Sequence, residues 1–213
     1  MLFDTHAHYD DERFDKDRYE IIEKVHQEGV SYIINASSDV KSVRVSVELA
    51  QKYPYVYAAI GIHPHNAEEV CSNIIPSLYE WAACDKVVAI GEIGLDYYYD
   101  FTPREVQIRC FAEQISVAKE LSLPIIVHNR DSHEDVLRII KGENAKEVGG
   151  VFHCFSGSVE MAREVLNNNF YISVGGPVTF KNARRVLEVL KYVPDDRLLV
   201  ETDCPYLTPE PYR

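Results

Sequence analysis

The chain of 213 residues is 46% apolar and 26% charged, an ordinary make-up for a soluble globular protein with a sizeable core, and no apolar run approaches the length that spans a bilayer. Its formal net charge of −12 argues against a protein that coats nucleic acid non-specifically. It leaves room for an enzyme that holds a few phosphates in one cleft, because carboxylates neutralised by bound metal make the formal count misleading.

MLFDTH reads as a strand with a polar end. Residues 17–28 follow as a helix, with Tyr19, Ile22 and Val25 on a helical period and Gly29 closing it. VSYIINA is the second strand, and Ser38 or Asp39 caps a helix that runs to about Lys52. VYAAIGIH is the third strand, residues 74–84 a third helix and KVVAIGEIG the fourth strand. TPRE opens a long helix toward Leu121, with Thr102 as N-cap, Pro103 in the first position and Glu105 completing a capping box. LPIIVHN, GGVFHCF, FYISVGG and RLLVETD are strands five to eight. Helices over 131–141, 158–167 and 180–192 separate them.

These strands are continuous apolar runs rather than clean alternations, as parallel strands covered by helices require. Eight strand–helix units predict an α/β fold, a TIM-type (β/α)8 barrel, in preference to an open doubly wound sheet. No linker, low-complexity segment or sequence repeat divides the chain, so residues 1–213 are expected to form one barrel domain. Complete barrels run to roughly 250 residues. Here the sequence stops at Arg213, soon after the last strand. The expectation is a barrel lacking its C-terminal helix through truncation, with apolar surface beside the first and last strands left exposed.

In such a barrel the chemistry sits at the carboxyl ends of the strands. Read in order, those ends carry His6 and His8, His63 and His65, Glu92, His128, His153 and Asp203. Residues i and i+2 of a strand face the same side, so His6 and His8 both point into the barrel mouth. An isolated HxH is usually a pair of satisfied or exposed histidines. With Glu92, His128, His153 and Asp203 at successive strand ends, the inventory becomes four imidazoles and two carboxylates. That is too many for one tetrahedral ion and suits two divalent ions sharing a bridging carboxylate. Asp4, on the same face as His6, either orients a ligand histidine or bonds to backbone.

Glycines 91 and 94 beside Glu92 leave room for metals or allow tight packing. Asp96 either supports the site or caps the following turn. Tyr97, Tyr98 and Tyr99 are loop cover or a stacking surface for bases. Arg130 offers a planar fork to a phosphate, unless Asp131 or Glu134 holds it in a surface ion pair. Ser156 and Gly157 open a helix whose N–H groups can cradle an anion, and Lys181 follows the seventh strand near the mouth. No Walker A, GxGxxG or zinc-finger spacing occurs, and no G-x-S-x-G elbow supports a serine triad. The five cysteines, Cys71, Cys84, Cys110, Cys154 and Cys204, lack paired spacing, and no signal segment precedes them. Free thiols in a reducing cytoplasm are expected.

Taken together, LFDTHAHYD, AIGIHPH, IGEIGLDYY, PIIVHNRD, FHCFSG, GGPVTFK and ETDCPYLTP closely resemble the TatD family of metal-dependent deoxyribonucleases, within the amidohydrolase-like barrels. The stretches run from the first strand to the end of the eighth. The resemblance puts the family's metal residues on His6, His8, Glu92, His128, His153 and Asp203. It gives Asp203, Glu92 and His63 catalytic roles, and His63, His65, Arg130, Ser156 and Lys181 contact with substrate. His6, His8 and Asp203 would hold one ion and His128 and His153 the other, bridged by Glu92. Asp203 would take a proton from the attacking water. The implied activity is magnesium-supported 3′-to-5′ exonuclease action on single-stranded DNA by a monomer, with zinc or manganese also suited to the ligands. Two rivals stand beside it: a metal hydrolase of an ester or amide such as D-aminoacyl-tRNA, and a non-catalytic binding protein keeping a relic site.

Overall fold

A computed structural model describes residues 1–69 and 74–213, and Cys71 lies outside them. The strands are β1 (Leu2–Ala7), β2 (Val30–Ala36), β3 (Val56–Ile60), β4 (Val87–Asp96), β5 (Ile125–Arg130), β6 (Gly150–Phe152), β7 (Phe170–Val174) and β8 (Leu198–Val200). They form one sheet of eight strands in sequence order, every neighbouring pair parallel. Helices α1 (Arg18–Gln27), α2 (Val40–Lys52), α3 (Ile75–Ala82), α4 (Arg104–Leu121), α5 (His133–Gly142), α6 (Val159–Asn167) and α7 (Arg184–Leu190) make the crossovers. This is the (β/α)8 barrel with seven of its helices.

The ring closes beyond the last strand. Val200 accepts from the Thr5 hydroxyl, Asp203 N–H donates to the His6 carbonyl at 2.9 Å, and His8 N–H donates to the Cys204 carbonyl at 2.8 Å. Asp4 reinforces the seam, accepting from the Thr202 N–H and hydroxyl. Asp4 thus bonds to backbone and to Thr202 rather than to an imidazole, and burial pushes its carboxyl up to about 6. Among the described residues no helix follows β8, and Leu2, Phe3 and Val200 are exposed beside the seam, as expected.

The main apolar cluster lies between sheet and helices, with Ile60, Ile90, Val127, Phe152 and Ile172 of the strands against Phe111, Ile115, Val136 and Val165 of the helices. A smaller cluster takes Ala36, Ala59, Ala89, Ile126 and Val151 from five consecutive strands, as a layer filling the barrel does. Gly94 has φ +147°, and a Cβ there would stand 2.0 Å from the His128 carbonyl oxygen, so β4 and β5 approach this closely only with glycine.

Local details differ from the sequence expectation where tertiary partners intervene. Asp39 caps α2, its carboxylate accepting from Ser42 N–H. Thr102 does not cap α4: its hydroxyl donates to the His65 carbonyl, and Pro103 takes the cap position. Ser156 and Gly157 precede α6 without opening it, because Ser158 is the N-cap. The helix expected over 180–192 is confined to α7.

Candidate metal centre

Glu92 stands at the centre of the mouth, buried, with its N–H on the Ser37 carbonyl. Its Oε2 lies 3.4 Å from His6 Nε2 and 3.5 Å from His8 Nε2. Those two nitrogens are 3.0 Å apart, and Asp203 Oδ1 lies 3.6 and 3.3 Å from them. Four ligands held about 2.0–2.1 Å from an ion at tetrahedral angles are separated by roughly 3.3 Å. These five distances scatter around that value, so these donors fit a divalent metal. His6, His8 and Asp203 by themselves already converge closely enough to hold one.

The other carboxylate oxygen faces a second group. Glu92 Oε1 is 2.6 Å from His128 Nδ1 and 2.7 Å from His153 Nε2, and those nitrogens are 3.3 Å apart. Here the contacts are hydrogen bonds between the carboxylate and two imidazoles. The sequence-predicted ligands His6, His8, Glu92, His128, His153 and Asp203 are thus all brought together at one barrel end. The clusters support a divalent-metal site. Asp203 has φ 56°, a left-handed conformation that costs an aspartate free energy and that the closing bonds of the seam maintain.

Hydrogen bonds fix which ring nitrogens are available. His8 Nδ1 donates to the Ala36 carbonyl at 2.8 Å, leaving Nε2 for the centre. His128 Nε2 donates to Asp96 Oδ2 at 3.0 Å and its Nδ1 donates to Glu92 Oε1, so binding an ion at Nδ1 would displace that proton. His65 Nε2 donates to the same oxygen at 3.0 Å, while Asp96 Oδ1 accepts from the N–H groups of Tyr98 and Tyr99. Asp96 therefore does both things weighed for it: it supports the site and closes the turn. His63 Nδ1 accepts from His65 N–H at 3.2 Å, so its proton is on Nε2, 3.6 Å from Glu92 Oε1. His63, Glu92 and His128 also lie close enough to hold an ion, but this tautomer makes His63 a hydrogen-bond donor instead.

Electrostatics follow from burial and neighbours. Burial pushes the Glu92 carboxyl up, but His153, His63, His6 and the bond from His128 outweigh it, and the group lies well below the carboxylate range. Asp203 is likewise held low, burial being overcome by the His8 bond and the His6 and His153 rings. His8 goes up to about 9, desolvation being outweighed by Asp203 and Glu92. His63 moves well down, through burial and then His128, and is neutral. With Nδ1 accepting from His65 N–H, the ring offers an N–H at Nε2.

The centre opens into a cavity of about 1890 Å3 whose wall includes His65, Arg130 and Ser156. Arg130 pairs with neither Asp131 nor Glu134; its guanidinium lies 4.0 Å from the Tyr98 ring centroid and 4.8 Å from that of Tyr99. Lys181 does not line this cavity. It faces a separate shallow one with Leu187 and Lys191, because the segment before α7 turns it outward, and Arg184 and Arg185 line the main cavity in its place. Glu201 escaped the sequence reading. Its buried Oε1 accepts from Cys154 N–H at 2.6 Å and lies 3.7 Å from His153 Nδ1. Its Oε2, His153 Nδ1 and His6 Nδ1 are buried without a partner. The i, i+2 rule that aligned His6 with His8 aligns Glu201 with Asp203 and was the available signal. Cys84, Cys110, Cys154 and Cys204 are thiols rather than disulfides.

Residues 3–213 match the family model described as TatD related DNase. A relative from Bacillus subtilis (strain 168), the uncharacterized metal-dependent hydrolase YabD, is 51% identical over 213 residues, covering 100% of this chain and 84% of the relative. The 3′-5′ ssDNA/RNA exonuclease TatD of Pectobacterium carotovorum is 35% identical over 216 residues, with coverage of 100% and 82%. The crystal structure of YJJV, a TatD homolog from Escherichia coli K12, superposes with a TM-score of 0.90 at 33% identity, covering 97% of this chain and 80% of that one. With barrel, buried donor cluster and sequence in agreement, the chain belongs to the TatD family of metal-dependent deoxyribonucleases.

Proposed function

We propose that the protein is a two-metal nuclease that removes nucleotides from the 3′ end of single-stranded DNA. The observation that carries the reading is the spacing of His6, His8, Asp203 and Glu92, an ion-sized ring of donors at the floor of a large cavity. His6, His8 and Asp203 would hold one ion, His128 and His153 the other, with Glu92 between. Two divalent ions held there would supply positive charge for the phosphoryl oxygens and lower the pKa of a water near phosphorus. Magnesium is the working ion in this reading, and zinc or manganese also suit the donors.

The chain's own residues do the rest. Asp203, ionised and buried beside His8, accepts a proton from the attacking water. His63 donates its Nε2–H to a phosphoryl oxygen, and Arg130 offers its fork to a neighbouring phosphate. His65 and Ser156 line the path of the strand. Similarity to relatives named 3′-5′ ssDNA/RNA exonuclease supports the substrate and polarity. Among the described residues no helix is long and apolar enough to cross a membrane. One barrel acting as a monomer in the cytoplasm completes the proposal.

The test is digestion of a single-stranded oligonucleotide labelled at its 5′ or 3′ end, with magnesium or manganese, on protein whose metal content is measured. A ladder shortening from the 3′ end is expected. Metal-loaded protein that leaves DNA intact and hydrolyses D-aminoacyl-tRNA would overturn the reading in favour of an ester hydrolase. No turnover of either would favour a relic site.

A further inference from the structure

The loop after β4 exposes three aromatic rings beside the centre: Tyr98, Tyr99 and Phe101, the last 67% exposed. Water-exposed aromatic clusters are costly unless something covers them in use. Two of the rings are organised. Tyr99 and Phe101 stack with centroids 5.2 Å apart and planes 20° apart. His65 packs edge-on against both, at 5.3 and 4.9 Å. That histidine is tied to Asp96, whose other contacts hold the Tyr98 and Tyr99 backbone. The stack is built and held, not a pair of loose side chains.

Its position says what it meets. His65 is 4.3 Å from the His63 ring, and His63 is 4.4 Å from His128. Two rings, His65 and His63, therefore separate the stack from His128 at the metal centre. Arg130 lies over Tyr98 and Tyr99 with no carboxylate within 4 Å among the described residues, so its positive charge is unspent beside the rings. Tyr99, Phe101 and Arg130 line one cavity with Glu92 and Asp203. A flat apolar face, a guanidinium without a carboxylate partner and the candidate metal centre, all on one cavity, suit a base, a neighbouring phosphate and the phosphate to be cut.

We propose that the Tyr99–Phe101 stack is a base platform, on which one unpaired nucleobase of the substrate strand continues the stack by lying on the exposed face of Phe101. This rests on the nuclease reading and adds to it a physical reason for single strands. A base on Phe101 must leave its own helical stack, which a duplex resists and a single strand permits. Stacking accepts any base, so the platform predicts tolerance of sequence.

The experiment uses the full chain with magnesium and a fluorescein-labelled oligothymidylate made cleavage-resistant by terminal phosphorothioates, read by fluorescence anisotropy. Phe101→Ala should weaken binding about tenfold, in the range of one lost base–aromatic stack. Phe101→Trp should restore it. A strand with abasic residues at its 3′ end should bind wild type and Phe101→Ala equally. Melting curves check that the variants are folded, as an exposed position allows. Equal binding of oligothymidylate by wild type and Phe101→Ala, or equal loss on the abasic strand, would overturn the platform. A wild type that binds through Phe101 yet cuts no unmodified DNA would sink the nuclease reading and support the platform.

Discussion

Asp96→Asn is the sharpest perturbation the site offers, because it changes one charge and almost no volume. Asp96 Oδ1 accepts two backbone N–H groups, from Tyr98 and Tyr99 at 3.0 Å each, so an asparagine must keep its oxygen there. Its NH2 then faces His65 Nε2 and His128 Nε2, both donors at 3.0 Å in the native protein. Donor against donor is relieved only if the rings change tautomer. For His128 that takes the proton off Nε2 and fixes the remaining one on Nδ1, the atom 2.6 Å from Glu92 Oε1, where an ion would need the lone pair. Loss of such a supporting carboxylate typically lowers metal affinity about 10- to 100-fold. Losing two charge-assisted bonds should also cost about 2–4 kcal/mol of stability. Titration of chelator-stripped protein with manganese should show one ion weakened by that factor and the ion of His6, His8 and Asp203 little changed. Nitrogen-15 spectra of the histidine rings should show the His128 proton on Nδ1 alone. Unchanged affinity for both ions, or a proton still on Nε2, would refute the reasoning.

Asp203→Asn should lower single-strand DNA hydrolysis by at least about a hundredfold, since ligand charge and proton acceptor are lost together; full activity in a folded variant removes the assignment. His63→Ala should lower turnover roughly ten- to a hundredfold with metal stoichiometry intact, and lost metal would make His63 a ligand. Gly94→Ala, placing a Cβ 2.0 Å from the His128 carbonyl at φ +147°, should destabilise by about 2–6 kcal/mol in urea unfolding; a loss under about 1 kcal/mol would show that the strands part easily. Adding manganese at about a hundredfold over its dissociation constant should stabilise the stripped protein by about 2.7 kcal/mol per site, read as a raised melting point, and an unmoved melting curve would count against a resident ion.

The strands and the main donors were legible because both obey strong local rules. Buried parallel strands need apolar runs, and polar residues that interrupt such runs at strand ends have little reason to be there except the mouth. What failed depended on partners distant in sequence. Thr102 has the chemistry of a cap, but the His65 carbonyl takes its hydroxyl. Lys181 lies at the right place in sequence, yet the chain before α7 carries it to another face. Glu201 was legible by the same two-residue alternation used elsewhere and was passed over because Asp203 already accounted for the segment.

The seam between β1 and β8 joins positions nearly the whole sequence apart: the bond between Asp4 and Thr202 spans 198 residues. Loop closure on that scale carries a larger entropic cost than forming local helices or pairing neighbouring strands, which favours its coming last. Asp203 reaches His6 and His8 only through that closure. A chain still emerging from the ribosome, or one nicked and sprung open, therefore holds a scattered set of side chains with no competence to cut. Hydrolysis becomes a report on topology, switched on by the final stitch of the ring, and a cell is spared a partly folded nuclease.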